Sequence, residues 1–429
     1  MKIKINHLAK MEGHMDFEGA LMKGNVGQAK LITTEGIRLM EGIVVGRNYT
    51  QVPVITARIC GICPVVHALT AINAIEDALG IKVSVQTTKL RKIMELAQIL
   101  HSHALHLYFL SLPDFFGIEN DLEFLKQFPK AGKSALNLRE WATNVIKILG
   151  ARVVHPIACE VGGFKILPKE KQLEEIYFNW EKAMFDAIEL VLFTANIKYP
   201  SFVRKTEFIS LHNKNEYAIY SGNLNTSSGE KISTKNITNA IYEYQLPNLA
   251  AKRAKYKDKP FMVGALARLN NNHEQLAPQA KKAVADLTLE FPIHNTFFNV
   301  LAQAIEVLHC TEEIGHLIRD ILKVGLKDEV SQAKKLKLIA FANPKNKTTK
   351  GSALMEAPRG ILYHHYEIDR DGRIVSTQII TPTVLFLNNI EEDLRKLLPQ
   401  TAEMSPKERE LKIKTLIRAY DPCISCATH

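Results

Sequence analysis

Cysteine is scarce, tryptophan nearly absent, and no apolar run is long enough to cross a bilayer; each scarcity excludes something. Six cysteines among 429 residues do not make a disulfide framework, which belongs to small, cysteine-dense secreted domains. The opening MKIKINHLAK has no apolar stretch of signal-peptide type. The cytoplasm is therefore the expected location, with no direct membrane span. No G-x-G-x-x-G fingerprint sits in a strand-to-helix context, so a dinucleotide is expected to bind elsewhere than on this chain. Neither sign of charge dominates: 55 Lys and Arg against 45 Asp and Glu leave +10, spread along the chain. The densest basic stretch, Lys334 to Lys350, holds a single aromatic, Phe341, and not the interleaved set of a base-stacking surface. It reads as a solvated loop, and no nucleic acid partner is expected. A basic face still suits an acidic partner subunit.

What is present is helical periodicity and ample apolar residue. The content is 46% hydrophobic and 23% charged, ordinary for a globular protein. Ile3 and Ile5 alternate with polar neighbours, and Lys23-Gly24-Asn25 is a turn signal, so 1–50 is expected to be β-rich. Residues 65–79 are apolar at helical spacing and stop at Gly80, a C-terminal cap. A longer helix is expected over 90–112, ended by Pro113, with others near 138–149, 173–193 and 300–322. The helical core is thereby placed in 60–200 and 290–325. The polar stretch 206–258 reads as a peripheral excursion. Residues 361–368 and 374–380 predict a hairpin across Asp371-Gly372. Ser405-Pro406-x-Glu408 is a capping box that opens the last helix. With no internal repeat and no linker, the expectation is a single large domain over 1–429, mainly α with peripheral β (α+β).

Four of the six cysteines fall in two Cys-x-x-Cys pairs, Cys60/Cys63 and Cys423/Cys426; Cys159 and Cys310 stand alone in apolar surroundings, as buried inert thiols would. One such pair brings two thiolates close enough for one metal, yet it also fits a redox pair, half a zinc site or accident. Two pairs invite a four-thiolate site. A structural zinc module gathers its ligands within a few dozen residues, whereas Cys63 and Cys423 lie far apart in sequence. A site closed from such distant segments, with 351–429 supplying the closing part, points to a buried catalytic centre. The alternative is a structural four-thiolate zinc or iron–sulfur scaffold without catalysis.

The flanking residues sharpen this. Arg58-Ile59-Cys60-Gly61-Ile62-Cys63-x-x-x-His67 and Asp421-Pro422-Cys423-Ile424-Ser425-Cys426-x-x-His429 closely resemble the two signatures of nickel–iron hydrogenase large subunits, R-x-C-G-x-C-x-x-x-H and D-P-C-x-x-C-x-x-H. In that family the large subunit is trimmed after this histidine once nickel is in place, so a chain ending at His429 is expected to be the matured form. Lys10-Met11-Glu12-Gly13-His14 resembles R-[IV]-E-G-H, departing at Lys10 and Met11 but keeping the glutamate that passes protons from a ligand cysteine. Arg38-x-x-Glu41 resembles R-G-x-E, which implies that Glu41, His429 and the carbonyl of Ile379 hold a magnesium or similar ion. Glu356-Ala357-Pro358-Arg359-Gly360 resembles E-A-P-R-G, whose arginine overhangs the open metal positions. Ile380-Thr381-Pro382-Thr383 resembles the segment that hydrogen-bonds cyanide on iron, with Thr383 as a donor. Many members carry aspartate where the register places Ser102, which leaves Asp421 as the carboxylate expected near Arg359. Serine here, together with Pro260-Phe261-Met262-Val263-Gly264-Ala265 and Arg418-Ala419-Tyr420, resembles cytoplasmic NAD(P)-linked, sulfhydrogenase-type alpha subunits.

The resemblance implies a fold with a long central helix bundle. It also implies a nickel–iron centre with CO and cyanide on the iron, held by all four cysteines with Cys63 and Cys426 bridging. Reversible heterolytic cleavage of H2 would then use Glu12, Cys423 and Cys426 for the proton and Arg359 as outer-sphere base or electrostatic support. His67 and Asp421 flank the centre. With no spare cysteine cluster in this chain, the electrons require an iron–sulfur small subunit, and a flavin and NAD(P)-binding diaphorase module beyond it. The quinone-binding subunit of respiratory complex I shares the fold but lacks the cysteine pairs, so it fits poorly.

Overall fold

Apolar residues at helical spacing build the centre of the molecule. The computed structural model describes residues 1–22, 25–329 and 347–429. Val85–Leu105 packs against both Pro129–Gly150 and Asn299–Val324, and Asn299–Val324 packs against Trp180–Ala195. Pro64–Leu79 starts with proline, whose missing N–H is free of obligation in a first turn, and ends at Gly80 with φ 67°. Its Leu69 and Ile72 are fully buried, each contributing about 1.5–3 kcal/mol of transfer free energy. This helix lies on a three-stranded antiparallel sheet, Thr348–Ala357, Gly360–Asp369 and Ile374–Ile380. The last two strands are the expected hairpin; the first is a third strand that the sequence reading did not register.

The N-terminal part is β-rich as expected: Lys2–Ile5, Met15–Met22 and Asn25–Thr33 form an antiparallel sheet. The expected turn at Lys23 and Gly24 lies outside the described residues, as does most of the lysine-rich stretch, 330–346. The capping box is present: Ser405 Oγ accepts from Glu408 N and Glu408 accepts from Ser405 N.

Three expectations differ. The helix expected over 90–112 is α-helical only across Val85–Leu105; a wider π turn, His106–Ser111, follows, and the chain resumes as Leu112–Phe115. Pro113 therefore lies in a first turn and ends nothing, because the widened turn has already broken the i→i−4 ladder its missing N–H would have joined. The helix expected over 173–193 is two, Glu170–Phe178 and Trp180–Ala195, parted at Asn179, whose side chain bonds back to Glu175 O at 2.9 Å. The 206–258 stretch holds strands, among them Glu207–His212 and Asn223–Thr226 in a four-stranded sheet with Phe261–Met262. Its Phe208, Leu211, Tyr217 and Ile219 are buried; their polar sequence neighbours hid this. No helix among the described residues is long and apolar enough to cross a membrane.

Candidate metal centre

The two cysteine pairs meet because each begins a helix in the same place. Cys60 is extended (φ −142°) after Ala57–Ile59, and Cys63 caps Pro64–Leu79, so the chain curls around the Cys60 sulfur. Ile62 N and Cys63 N both donate to Cys60 Sγ at 3.3 Å. On the other side Asp421 takes a left-handed φ of 55°, which turns the chain sharply after the helix Pro406–Ala419 and delivers Cys423. Cys60 Sγ lies 3.5 Å from Cys423 Sγ, and Cys63 Sγ lies 3.4 Å from Cys426 Sγ. All four sulfurs fall within 4.8 Å of one another and are buried. Hydrogen bonding from Cys423 foremost draws the Cys60 thiol well below its ordinary value, while burial pushes Cys423 well above. Four buried thiols can thus not all ionise by themselves. A divalent cation at their centre supplies the missing charge, and soft thiolates select soft or redox-active metals. The donor set fits the metal that the cysteine motifs imply.

Glu12 closes one side. It pairs with Cys423 as a parallel bridge, and its Oε2 accepts from Cys423 Sγ at 3.1 Å and from Ser425 N at 2.9 Å. Arg359 closes another: Nε donates to Asp421 O at 2.6 Å and Nη2 to Asp421 Oδ1 at 2.7 Å. Burial opposes its charge, but Asp421 first and then Cys423, Cys63 and Cys60 hold the Arg359 proton well above the ordinary value. Arg359 Nη1, Asp421 Oδ2 and Ser102 Oγ are each buried without a protein hydrogen-bond partner. Thr383 Oγ1 accepts from Cys423 N at 3.2 Å, which leaves its own hydrogen free to donate. Pro382 starts the helix Pro382–Leu397 behind it. His67 Nε2 lies 3.7 Å from Cys426 Sγ, and burial lowers its pKa to about 3, so the ring stays neutral.

A second polar cluster lies behind Cys426. Glu41 Oε1 accepts from Ile379 N at 2.7 Å. His429 Nε2 lies 3.0 Å from Ile379 O, and its Nδ1 lies 2.6 Å from Cys426 O. Glu41, Ile379 and His429 are thus brought together, and burial lowers the His429 pKa from its ordinary value against the opposing pull of Glu41. Arg38 ties this cluster to the thiols by donating to Ile59 O at 2.6 Å and to Ser425 O.

Among the remaining histidines, His103 bonds Glu306 and His106 bonds Gln303 and Arg418 O. Cys159 and Cys310 are buried and isolated, with the Cys159 pKa pushed up to about 12 by burial. The sequence reading missed Arg268, which grips the residues just before Arg359. An arginine inside the apolar run Ala265-Leu266-Ala267-Arg268-Leu269 was the available signal.

A family model described as nickel-dependent hydrogenase matches residues 38–144 and 191–429. Along its whole length the chain is 31% identical to the alpha chain of sulfhydrogenase 1 from Pyrococcus furiosus, covering 98% of it. It is 28% identical to an F420-non-reducing hydrogenase chain of Methanothermobacter marburgensis, covering 95% of that chain. In fold it is similar to an NAD+-reducing NiFe hydrogenase solved in the H2-reduced state, with TM-score 0.87 and 24% identity over 100% of this chain and 99% of that one. The NiFeSe hydrogenase of Dm. baculatum matches with TM-score 0.79 and 21% identity over 100% of both chains. With relatives aligned end to end and both cysteine pairs in one pocket, the chain belongs to the nickel-dependent hydrogenase family, as the large catalytic subunit of a nickel–iron enzyme acting on H2.

Proposed function

We propose that Cys60, Cys63, Cys423 and Cys426 would hold a nickel–iron centre whose iron would carry CO and cyanide, and that Glu41, His429 and the Ile379 carbonyl would hold a magnesium or similar ion. When bound, the nickel–iron centre supplies the Lewis acidity and electron storage for heterolytic cleavage of H2. The chain's own work is on the proton. Cys423 Sγ, already hydrogen-bonded to Glu12 Oε2, receives it and passes it to that carboxylate, with Cys426 as the other candidate acceptor. Arg359, held by Asp421, would serve over the thiols as outer-sphere base or electrostatic support. Thr383 and the start of the helix at Pro382 present donors to a cyanide nitrogen, and His67 and Asp421 fix the cysteine and arginine beside them. The single observation that carries this reading is the carboxylate of Glu12 on the sulfur of Cys423 at the edge of the four-thiol pocket.

Outside the four-thiol pocket the chain has only Cys159 and Cys310, which stand apart and cannot carry an electron chain, so the electrons leave through an iron–sulfur small subunit. The NAD+-reducing neighbour supports NAD(P) or a similar soluble carrier and a diaphorase module beyond the small subunit. Infrared spectroscopy in the CO and cyanide stretching region, paired with nickel and iron analysis, tests the centre. Bands from both ligands with about one nickel per chain are expected for a single four-thiolate site. Zinc in place of nickel and no such bands would leave a structural thiolate scaffold.

A further inference from the structure

Arg268, Glu306 and Glu356 are completely buried charges outside the thiol pocket, and none takes part in the steps above. Arg268 uses every N–H of its guanidinium. Nε and Nη2 donate to Glu306 Oε1 and Oε2 at 2.6 Å each, and Nη1 donates to Glu356 Oε2 at 2.8 Å. The two remaining donors reach main-chain carbonyls, Ala357 O and Pro358 O, both at 2.9 Å. Those residues immediately precede Arg359. The carboxylates are fixed in turn: Glu306 binds His103 Nε2 at 2.8 Å and Tyr217 Oη at 2.6 Å, and Glu356 Oε1 accepts from Leu211 N at 2.7 Å.

Desolvating such a cluster is costly, and well-packed apolar side chains are often as stable in its place. Stability therefore does not account for it. What apolar side chains cannot do is grip two consecutive carbonyls, and a five-donor planar fork can. The other side of the same segment is closed as well. A Cβ on Gly264, at the start of the helix that carries Arg268, would lie 3.0 Å from Arg359 O.

We infer that Arg268 is a positioning residue for Arg359: the Glu306–Arg268–Glu356 clamp fixes the Ala357 and Pro358 carbonyls and so holds the Arg359 guanidinium against Asp421 and over the four thiols. The inference rests on the role given to Arg359 above. Its test is Arg268→Lys in the complete, metal-loaded enzyme, which keeps the buried charge but replaces the fork with a point donor. The expected crystal structure has the 2.7 Å contact from Arg359 Nη2 to Asp421 Oδ1 broken. The expected kcat is about 100-fold lower, the loss that ångström-scale misplacement brings, with nickel content and KM for H2 unchanged. In an Arg359→Lys background the same change should cost nothing further, because the two residues act in series. Arg359 unmoved in the Arg268→Lys structure, whatever the turnover, overturns the inference. Unchanged turnover in Arg359→Lys alone overturns the role of Arg359 and leaves the clamp to be judged on the crystal structure. Should Arg268→Lys not fold, Glu356→Gln loosens one side of the clamp while keeping the Leu211 contact, and the same two measurements decide.

Discussion

Glu12 was legible from a five-residue motif despite two departures within it, and the structure puts its carboxylate on Cys423 Sγ. Glu12→Gln keeps the size and can still accept from Ser425 N, but it cannot take a proton. Turnover with an artificial electron acceptor should fall by about 10²–10⁴-fold, the usual worth of a positioned acid–base group, with nickel content intact; undiminished turnover would remove Glu12 from the proton route. Arg268 could have been singled out as an arginine in an apolar run, but the two carboxylates it faces, distant in sequence, could not. His309 is a similar case. Its Nδ1 accepts from Ala277 N at 3.1 Å, and burial lowers its pKa to about 3. The unfolded chain binds this proton near 6.5 and the folded chain only near 3, so stability present above 6.5 is lost as the pH falls through that window. Denaturant unfolding followed from about pH 7 to about pH 4 should show a shallower decline in His309→Gln than in the parent protein.

Helices with clean periodicity and end signals were legible as elements: Pro64–Leu79 stops at Gly80, and the helix Pro406–Ala419 opens at its capping box. What escaped depends on tertiary context. The π turn His106–Ser111 has no sequence period of its own, and the strand Thr348–Ala357 is recognisable only once Pro64–Leu79 lies across it. The turn from that strand into Gly360–Asp369 is the most demanding joint near the site. Gly360 has φ +127°, and a Cβ there would meet Gly264 N at 2.8 Å and Val263 Cγ2 at 2.5 Å. Gly360→Ala should therefore cost about 1–3 kcal/mol of strain and displace Arg359, seen as a lower unfolding midpoint together with lost turnover. A variant with parental stability and rate would show that the close approach of these two backbones is dispensable.

For the whole molecule, the closing of the metal pocket by distant segments could be inferred from cysteine pairs too far apart for a local module, but the burial of Phe208, Leu211, Tyr217 and Ile219 within 206–258 could not. The metal pocket draws together segments distant in sequence, since Glu12 bonds Ile424 and Ser425 while Glu41 bonds Ile379. A metal that binds only this folded arrangement stabilises it by mass action, by about 4 kcal/mol at a thousandfold excess over Kd. Stripping it should lower the calorimetric midpoint and weaken amide protection in residues 10–16 and 421–427 together; equal midpoints for loaded and stripped protein would show that the metal does not bind the folded pocket in preference to the unfolded chain. The 363-residue separation of Cys60 from Cys423 also sets a clock on biosynthesis. At ribosomal speeds the second thiol pair follows the first by roughly 20 to 70 s, and throughout that interval Cys60 and Cys63 are a half-built, two-thiolate site open to whatever soft ion arrives. Correct loading is then a matter of timing as much as of affinity, because the four-thiol pocket is complete only once translation has brought Cys423 and Cys426.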